Sequence, residues 1–539
     1  MTAPASKLTG PQARAALRQV TQDRGGCIRP VQFRRTNLDT GEVTQILIPC
    51  GATLESACPA CAKRGKSLRA EQCRDGWHLE HEPPDPTPPS DENQEFWLGL
   101  RARAQVLRDQ AEATGQDTTD LDQAITELED ELAATGIRGT LSRTTGQAKD
   151  ADPKVRRSRS TRRRQDAPSL PKRQVTARTT GKVFAAPDGS KYRPSMFLTL
   201  TCDTYGRVLD DGTPADPASY DYRRAARDAI HFAALFDRLI QNLRRYLGYD
   251  VQYFAAIEPQ RRLAPHVHVA FRGAISRADL RQVIAATYHQ VWWPSTDTVR
   301  FDGDQLPHWH KATGLYIDHA TGELFPEWDD ALDAIRAEDE PLHVARFGPK
   351  FDAQGVLAGT RDAKRCIGYL TKYLTKQLGQ CHQASTDAQA DHVTRLLDAL
   401  RYEPCSPTCA NWLRYGITPK NPRAGLIPGQ CKGKAHRAEH LGYAGRRVLT
   451  SRKWSGKTLA DHRAYRKAWL TSMLDLPATD TNRYRWEQVS PADRDAMTPT
   501  RKLLHVLDDR ARWNAALAEA RRRASEATDA PSAAGKEAA

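Results

Sequence analysis

Three β-type runs and a long amphipathic helical pattern lie close together near the middle of this chain, and their order leaves few folds open. Residues 196–201 (MFLTLT) form the first run, and residues 222–247 carry a helical stripe of Ile230, Ala234, Phe236, Leu239 and Leu243. Residues 251–257 and 267–271 read as two further strands, separated by a short charged turn containing Pro259, Gln260, Arg261 and Arg262. Helical patterns are expected again at 280–293 and 363–378. Strands paired through a tight turn and then covered by helices specify an α+β domain built on an antiparallel sheet. The interval 294–351, with Asp, Gly and Trp but no clear period, reads as an insertion into that domain.

At 539 residues the chain is too long for one ordinary domain. A Cys-rich segment at 14–82 comes first, followed by a spacer at 83–180. Within the spacer, Pro83, Pro84, Pro86, Pro88 and Pro89 preclude helix or sheet ladder, and residues 96–114 and 118–135 predict a helical hairpin. Seven of the eleven residues at 154–164 are Lys or Arg, which predicts a disordered stretch, either a solvated linker or a DNA-binding arm. The α+β domain is expected over 181–400 and a second Cys/His segment over 401–470. Residues 471–539 hold an Arg-rich amphipathic helix at 497–525 and a tail expected to be disordered.

Lys plus Arg number 80 against 66 Asp plus Glu, a formal charge of +14. Such an excess favours a polyanionic partner such as nucleic acid. No run approaches the roughly 18 apolar residues of a membrane helix, and residues 1–18 lack the apolar stretch of a secretory signal. The expectation is a cytoplasmic protein with no membrane partner. Eleven cysteines, several beside histidines, read in a reducing compartment as metal ligands rather than disulfides.

Two constellations carry chemistry. In Pro265-His266-Val267-His268-Val269 the strand period puts both imidazoles on one face and both valines on the other. Two imidazoles so placed can chelate one divalent cation, or can simply face solvent. Glu258 closes the preceding strand, and a hairpin of this length can bring its carboxylate beside them, with Asp203 as a competitor. A mixed imidazole and carboxylate set suits Mg²⁺ or Mn²⁺ acting on phosphate oxygens, and also accepts Zn²⁺. The second constellation is Tyr369-Leu370-Thr371-Lys372-Tyr373-Leu374-Thr375-Lys376. On a helix Tyr369 and Tyr373 share a face, and Lys372 and Lys376 form a row alongside. A phenol can attack a phosphodiester polarised by a metal ion and conserve the bond energy in a phosphotyrosine, the lysines stabilising phosphate or phenolate. The plain alternative is that both tyrosines pack on the sheet.

Taken together, these residues resemble the His-hydrophobic-His (HUH) endonucleases that initiate rolling-circle replication. Phe197-Leu198-Thr199-Leu200-Thr201 looks like the first motif of that superfamily, a supporting strand. Residues 265–269 match the metal-binding second, and residues 369–376 match the third, with the two-tyrosine spacing of the bacteriophage gene A type. Relaxases of conjugation share the chemistry but carry the nucleophile ahead of the histidine motif, so the order here favours a replication initiator. Cys405 to Cys409, residues 431–440 and residues 454–463 (WSGKTLADHR) extend the likeness to initiators of actinobacterial plasmids and integrative conjugative elements, over most of the chain from about Cys27 onward.

This resemblance implies a ferredoxin- or RRM-like antiparallel sheet and a strand-specific nick at a plasmid origin, on a single-stranded or extruded segment. Tyr373 would attack first, stay joined to the 5′ end and release a 3′-OH primer. Tyr369 would act in the second transesterification, which closes the displaced strand. The competing readings are a non-catalytic DNA-binding regulator, and a relaxase or transposase using the same HUH chemistry.

Cys50-x7-Cys58-x2-Cys61-x11-Cys73 has the make-up of a four-coordinate structural Zn²⁺ site, with Cys27, His78 and His81 as substitutes. Cys405-x3-Cys409-x21-Cys431-x4-His436 offers a second set, with His440 in reserve. Four protein ligands leave no open position, so both read as staples rather than catalytic centres. Arg446, Arg447, Arg452, Lys453, Trp454 and Lys457 form a basic, aromatic stretch suited to single-stranded DNA, or a solvated basic face. Gly456-Lys457-Thr458 lacks the upstream glycine of a P-loop, Ser451 standing there, and Gly65-Lys66-Ser67 fails likewise at Ala60. Extension from the nick would therefore need a separate host helicase and DNA polymerase.

Overall fold

A computed structural model describes residues 10–77, 92–134, 163–181, 184–185, 191–303, 305–336, 338–357, 360–372, 374, 384–445, 447–474 and 483–529. The Pro-rich run, most of the basic run at 154–164 and the last ten residues lie outside them. The chain divides into two compact units, residues 84–163 and the remainder. The larger unit opens with α1 (Pro11–Asp23), β1 (Val31–Asn37), β2 (Val43–Ile48) and α2 (Pro59–Trp77). The smaller unit consists of α3 (Glu92–Ala113) and α4 (Thr119–Ala134), which pack together where the hairpin is expected. Arg101 reaches Glu129 at 2.9 Å and Arg108 reaches Asp122 at 3.0 Å.

The larger unit resumes with the short strands β3 (Phe184–Ala185) and β4 (Lys191–Tyr192), then β5 (Pro194–Cys202), α5 (Tyr222–Leu247), β6 (Tyr253–Pro259) and β7 (Pro265–Arg272). It continues with α6 (Arg277–Ala285), β8 (Tyr288–Val291), β9 (His308–His310), β10 (Leu315–Ile317), α7 (Trp328–Asp333) and β11 (His343–Leu357). The rest is α8 (Arg361–Lys372), α9 (Asp387–Tyr402), β12 (Val448–Thr450), α10 (Leu459–Met473), β13 (Tyr484–Gln488) and α11 (Pro499–Asp529). Six strands form one antiparallel sheet in the order β12-β6-β7-β5-β11-β8.

One face of this sheet presents Leu198, Leu200, Val267, Val269, Phe271 and Ile257 to α5, α6 and α9. The long α5 is set by its ends: Asp221 accepts a hydrogen bond from Arg224 N at 2.8 Å, and Gly248 takes the left-handed conformation that closes the last turn. Phe232, Leu235, Phe236, Leu239 and Leu243 are almost wholly buried along it. Each such side chain contributes about 1.5–3 kcal/mol, far more than helix propensity does.

The opposite face is covered too, by α8 and α2, with Phe254, Ala270, Ala363, Ile367, Leu370, Cys73, Trp77 and Trp454 in one cluster. Arg272 at the end of β7 ties these parts together. Its guanidinium donates to Gly76 O at 3.1 Å, to Lys453 O at 2.8 Å and to Trp454 O. Gly76 is required here, because a Cβ on it would come closer than 3.0 Å to Trp454 Cδ1, Nε1 and backbone O. Gly76→Ala is therefore expected to destabilise the protein by about 3 kcal/mol, the upper range for overpacking, seen as a lower urea midpoint with the α-helical signal intact beforehand.

Three expectations are corrected by this arrangement. The helix expected at 280–293 stops at Ala285, because residues 288–291 find a β-ladder partner in residues 343–346. The supposed insertion at 294–351 ends inside β11, which pairs with both β5 and β8. A register shift between Phe347 and Phe351 breaks the alternation that would have announced that strand. The third concerns the ends of the chain, which are not separate appendages: β13 pairs with β1 in a three-stranded sheet, and α11 packs on α1.

Candidate metal and tyrosine site

The pleat and register of three neighbouring strands create the site. Thr199 lies opposite His268 and Thr201 opposite His266 across β5 and β7, while Glu258 lies opposite His266 across β6 and β7. All five side chains therefore project from the face covered by α8, and Val267 and Val269 go to the other core. Glu258 Oε1 is 3.1 Å from His268 Nε2, and one ligand atom from each of Glu258, His266 and His268 lies within 4.8 Å of the others.

The second layer is made by threonines. Thr201 Oγ1 is 2.7 Å from His266 Nδ1, and Thr199 Oγ1 is 3.0 Å from His268 Nδ1. A hydroxyl can donate to or accept from a ring nitrogen, so it supports either tautomer, including the one that leaves Nε2 with a free lone pair. Burial, with the neighbouring His268 imidazole, pushes His266 down to about 4. Its ring is therefore neutral at physiological pH, the state a metal ligand needs. Three such donors, held by second-layer hydrogen bonds and mixing imidazole with carboxylate, fit one divalent cation. Thr201→Val keeps the shape and removes the hydroxyl. It should weaken Mn²⁺ binding roughly 10- to 100-fold by titration calorimetry; unchanged affinity would remove Thr201 from the site.

Aromatic rings wall this cluster. Phe197 stacks on His268 with centroids 5.7 Å apart, and Tyr369 meets His268 edge-on at 4.6 Å. Tyr369 belongs to α8, whose Ala363, Cys366, Ile367 and Leu370 are buried against the sheet, and its own side chain is 43% exposed. Lys372 is exposed at the end of α8, and its carbonyl accepts from Lys66 Nζ at 3.3 Å. Tyr373 and Lys376 lie outside the described residues. Asp203 is turned away from the histidines, paired instead with Arg346 at 3.0 Å and Arg224 at 3.5 Å. Phe197, Thr199 and Thr201 belong to the run read from the sequence as a supporting strand, but no role was given to their side chains, although the alternation with Leu198 and Leu200 carried the signal.

The first cysteine set differs from the expected one. Cys27, Cys50, Cys58 and Cys61 converge, with Cys50 Sγ 3.7 Å from Cys61 Sγ and Cys58 Sγ 3.8 Å from Cys27 Sγ. Tetrahedral thiolates about 2.3 Å from one ion would stand about 3.8 Å apart, whereas a disulfide needs about 2.05 Å. Cys73 is excluded because it lies on the same helix as Cys61, roughly 18 Å further along by the rise of 1.5 Å per residue. It packs instead with Trp77 and Trp454. His78 and His81 lie outside the described residues.

The second set, Cys405, Cys409, Cys431 and His436, comes together as expected. His436 Nδ1 is 2.7 Å from Leu400 O, which leaves Nε2 for an ion. Both sets can hold a structural metal such as zinc.

The expected basic stretch disperses. Trp454 is wholly buried and donates from Nε1 to Cys73 O at 3.2 Å, so it has no face to offer a base. Arg447 and Lys453 are half-buried, Arg452 and Lys457 are exposed, and Arg446 lies outside the described residues. Among the described residues no helix is long and apolar enough to cross a membrane.

Comparison with known proteins adds one finding. The family model described as RepSA, replication initiator protein, pSAM2, matches residues 13–522. No curated protein and no solved structure gives a match.

Proposed function

The chain belongs to the RepSA family of replication initiator proteins, matched over nearly its whole length, and from that premise we propose that it is an HUH-type nickase that opens one strand of a plasmid origin through a phosphotyrosine intermediate. The observation that carries this reading is the convergence of Glu258, His266 and His268 beneath the Tyr369 ring. Two imidazoles and a carboxylate under a partly exposed phenol are what tyrosine-dependent phosphodiester cleavage requires.

In this reading Glu258, His266 and His268 hold a Mg²⁺ or Mn²⁺ ion, which supplies Lewis-acid polarisation of the scissile phosphate. Thr199 and Thr201 keep the imidazoles oriented. A tyrosine phenolate, Tyr373 in the first attack, forms the ester to the 5′ side while the 3′ oxygen leaves as a hydroxyl and primes synthesis. Tyr369 acts when the displaced strand is rejoined. Lys372 and Lys376 stabilise the phenolate or the phosphate charge. The two four-ligand sets hold structural Zn²⁺ and take no part in the chemistry. DNA, host helicase and DNA polymerase are the partners, in the cytoplasm.

The test is direct: purified protein, Mn²⁺ or Mg²⁺, and a labelled single-stranded origin oligonucleotide. A denaturant-resistant protein–DNA adduct supports the reading. Tight binding with no adduct from any origin fragment would replace it with a non-catalytic DNA-binding regulator.

A further inference from the structure

An open strip on the surface of the larger unit has the chemistry of a single-stranded nucleic-acid track. Helix α2 packs against α8 on one side and α10 on the other. Its contacts to α10 come from Ser67, Glu71 and Asp75, which meet Arg466 and His462. Its contacts toward α8 come from Lys66, which donates to Lys372 O, and from Cys73, in one cluster with Ala363 and Cys366. At 100° per residue, Lys63 and Arg74 fall on the strip of α2 left between these two lines and both are exposed, while Lys66 stands at its α8 edge.

Helix α10 runs antiparallel to α2, since His462 meets Asp75 while Arg466, one turn later, meets Glu71 and Ser67. For right-handed helices in that orientation, the flank of α10 carrying Tyr465 and Trp469 turns toward the same strip. Both aromatics are well exposed, Tyr465 at 66% and Trp469 at 56%. They are four residues apart on one side of the helix, and Lys457 Nζ sits 4.7 Å from the Tyr465 ring. Among the described residues, no core cluster includes either ring, and a lysine already stands against one of them. The two rings offer π-faces beside cations, a combination that unstacked bases and their phosphates can use and a stacked duplex cannot.

We propose that the strip between α8, α2 and α10 binds single-stranded DNA, with Tyr465 and Trp469 stacking on bases and Lys63, Lys66 and Arg74 contacting phosphates. The proposal rests on the nickase reading for its direction, because Lys66 joins the strip to the end of α8, one turn from Tyr369. It also moves base stacking from Trp454 to α10.

The test uses the full chain and a fluorescein-labelled 20-nucleotide oligo-dT in buffer without added Mg²⁺ or Mn²⁺, read by anisotropy. The double variant Tyr465→Ala/Trp469→Ala should bind at least about 10-fold more weakly, while Tyr465→Phe/Trp469→Phe stays within about twofold because the rings remain. Lys63→Gln and Lys66→Gln should each lower the slope of log affinity against log salt by about 0.7. Unchanged oligo-dT affinity in the alanine pair, with native circular dichroism, overturns the proposal. So does equal loss on duplex DNA, or loss of self-association without loss of DNA affinity. Failure of the nickase reading looks different: no adduct forms with any origin strand, yet oligo-dT binding still depends on Tyr465 and Trp469.

Discussion

His268→Ala is expected to reduce adduct formation with an origin oligonucleotide by at least about 100-fold, while binding of that oligonucleotide without added Mg²⁺ or Mn²⁺ changes little. His268 is the hub of the site. Its Nε2 faces Glu258 at 3.1 Å, its Nδ1 faces Thr199 at 3.0 Å, and its ring contacts those of Phe197 and Tyr369. Alanine removes one of three ligands, deprives the Glu258 carboxylate of its partner and takes away the ring against which Tyr369 rests. The tyrosines divide the remaining question. If Tyr373 makes the first attack, Tyr373→Phe loses the adduct and Tyr369→Phe keeps it but fails to rejoin the strand. The opposite pattern would give the first attack to Tyr369, whose ring is already beside His268. An adduct that survives His268→Ala at full yield would refute the metal assignment.

The second large effect concerns the cysteines. Under the zinc reading the wild-type chain carries two zinc ions, and Cys27→Ser should carry one and unfold its N-terminal segment at a lower denaturant concentration. Cys73→Ser should retain two. It still costs stability, about 1–3 kcal/mol, because it places a hydroxyl in the apolar cluster around Trp77 and Trp454. Metal content by mass spectrometry of the native protein separates the two variants. One zinc in Cys73→Ser and two in Cys27→Ser would overturn the Cys27 set. Large stability effects are expected for either ligand set, because a structural zinc site contributes its binding free energy directly to folding.

What was legible in the amino-acid sequence was whatever depends on near neighbours. His266 and His268 share a face because strand residues two apart must do so, and Glu258 could be brought into reach by the hairpin that joins β6 to β7. The set Cys405, Cys409, Cys431 and His436 was legible because its ligands lie in one continuous stretch. The α+β class with an antiparallel sheet followed from the order of runs. Thr199 and Thr201 were seen as strand residues but acquired their role only through the register of β5 on β7, which no local pattern specifies.

Tertiary structure alone decided three further points. Cys27 rather than Cys73 completes the first thiolate set, because helix α2 carries Cys73 away from Cys61. Trp454 is core rather than surface, because Gly76 leaves space for its ring and Arg272 holds its carbonyl. Chain ends that look like separate segments share a sheet, β13 on β1. In the first case helix geometry decides, and in the other two the energy comes from burying apolar surface or satisfying backbone groups between residues far apart in the chain. Local propensity constrains which elements form, and only their packing selects which side chains meet.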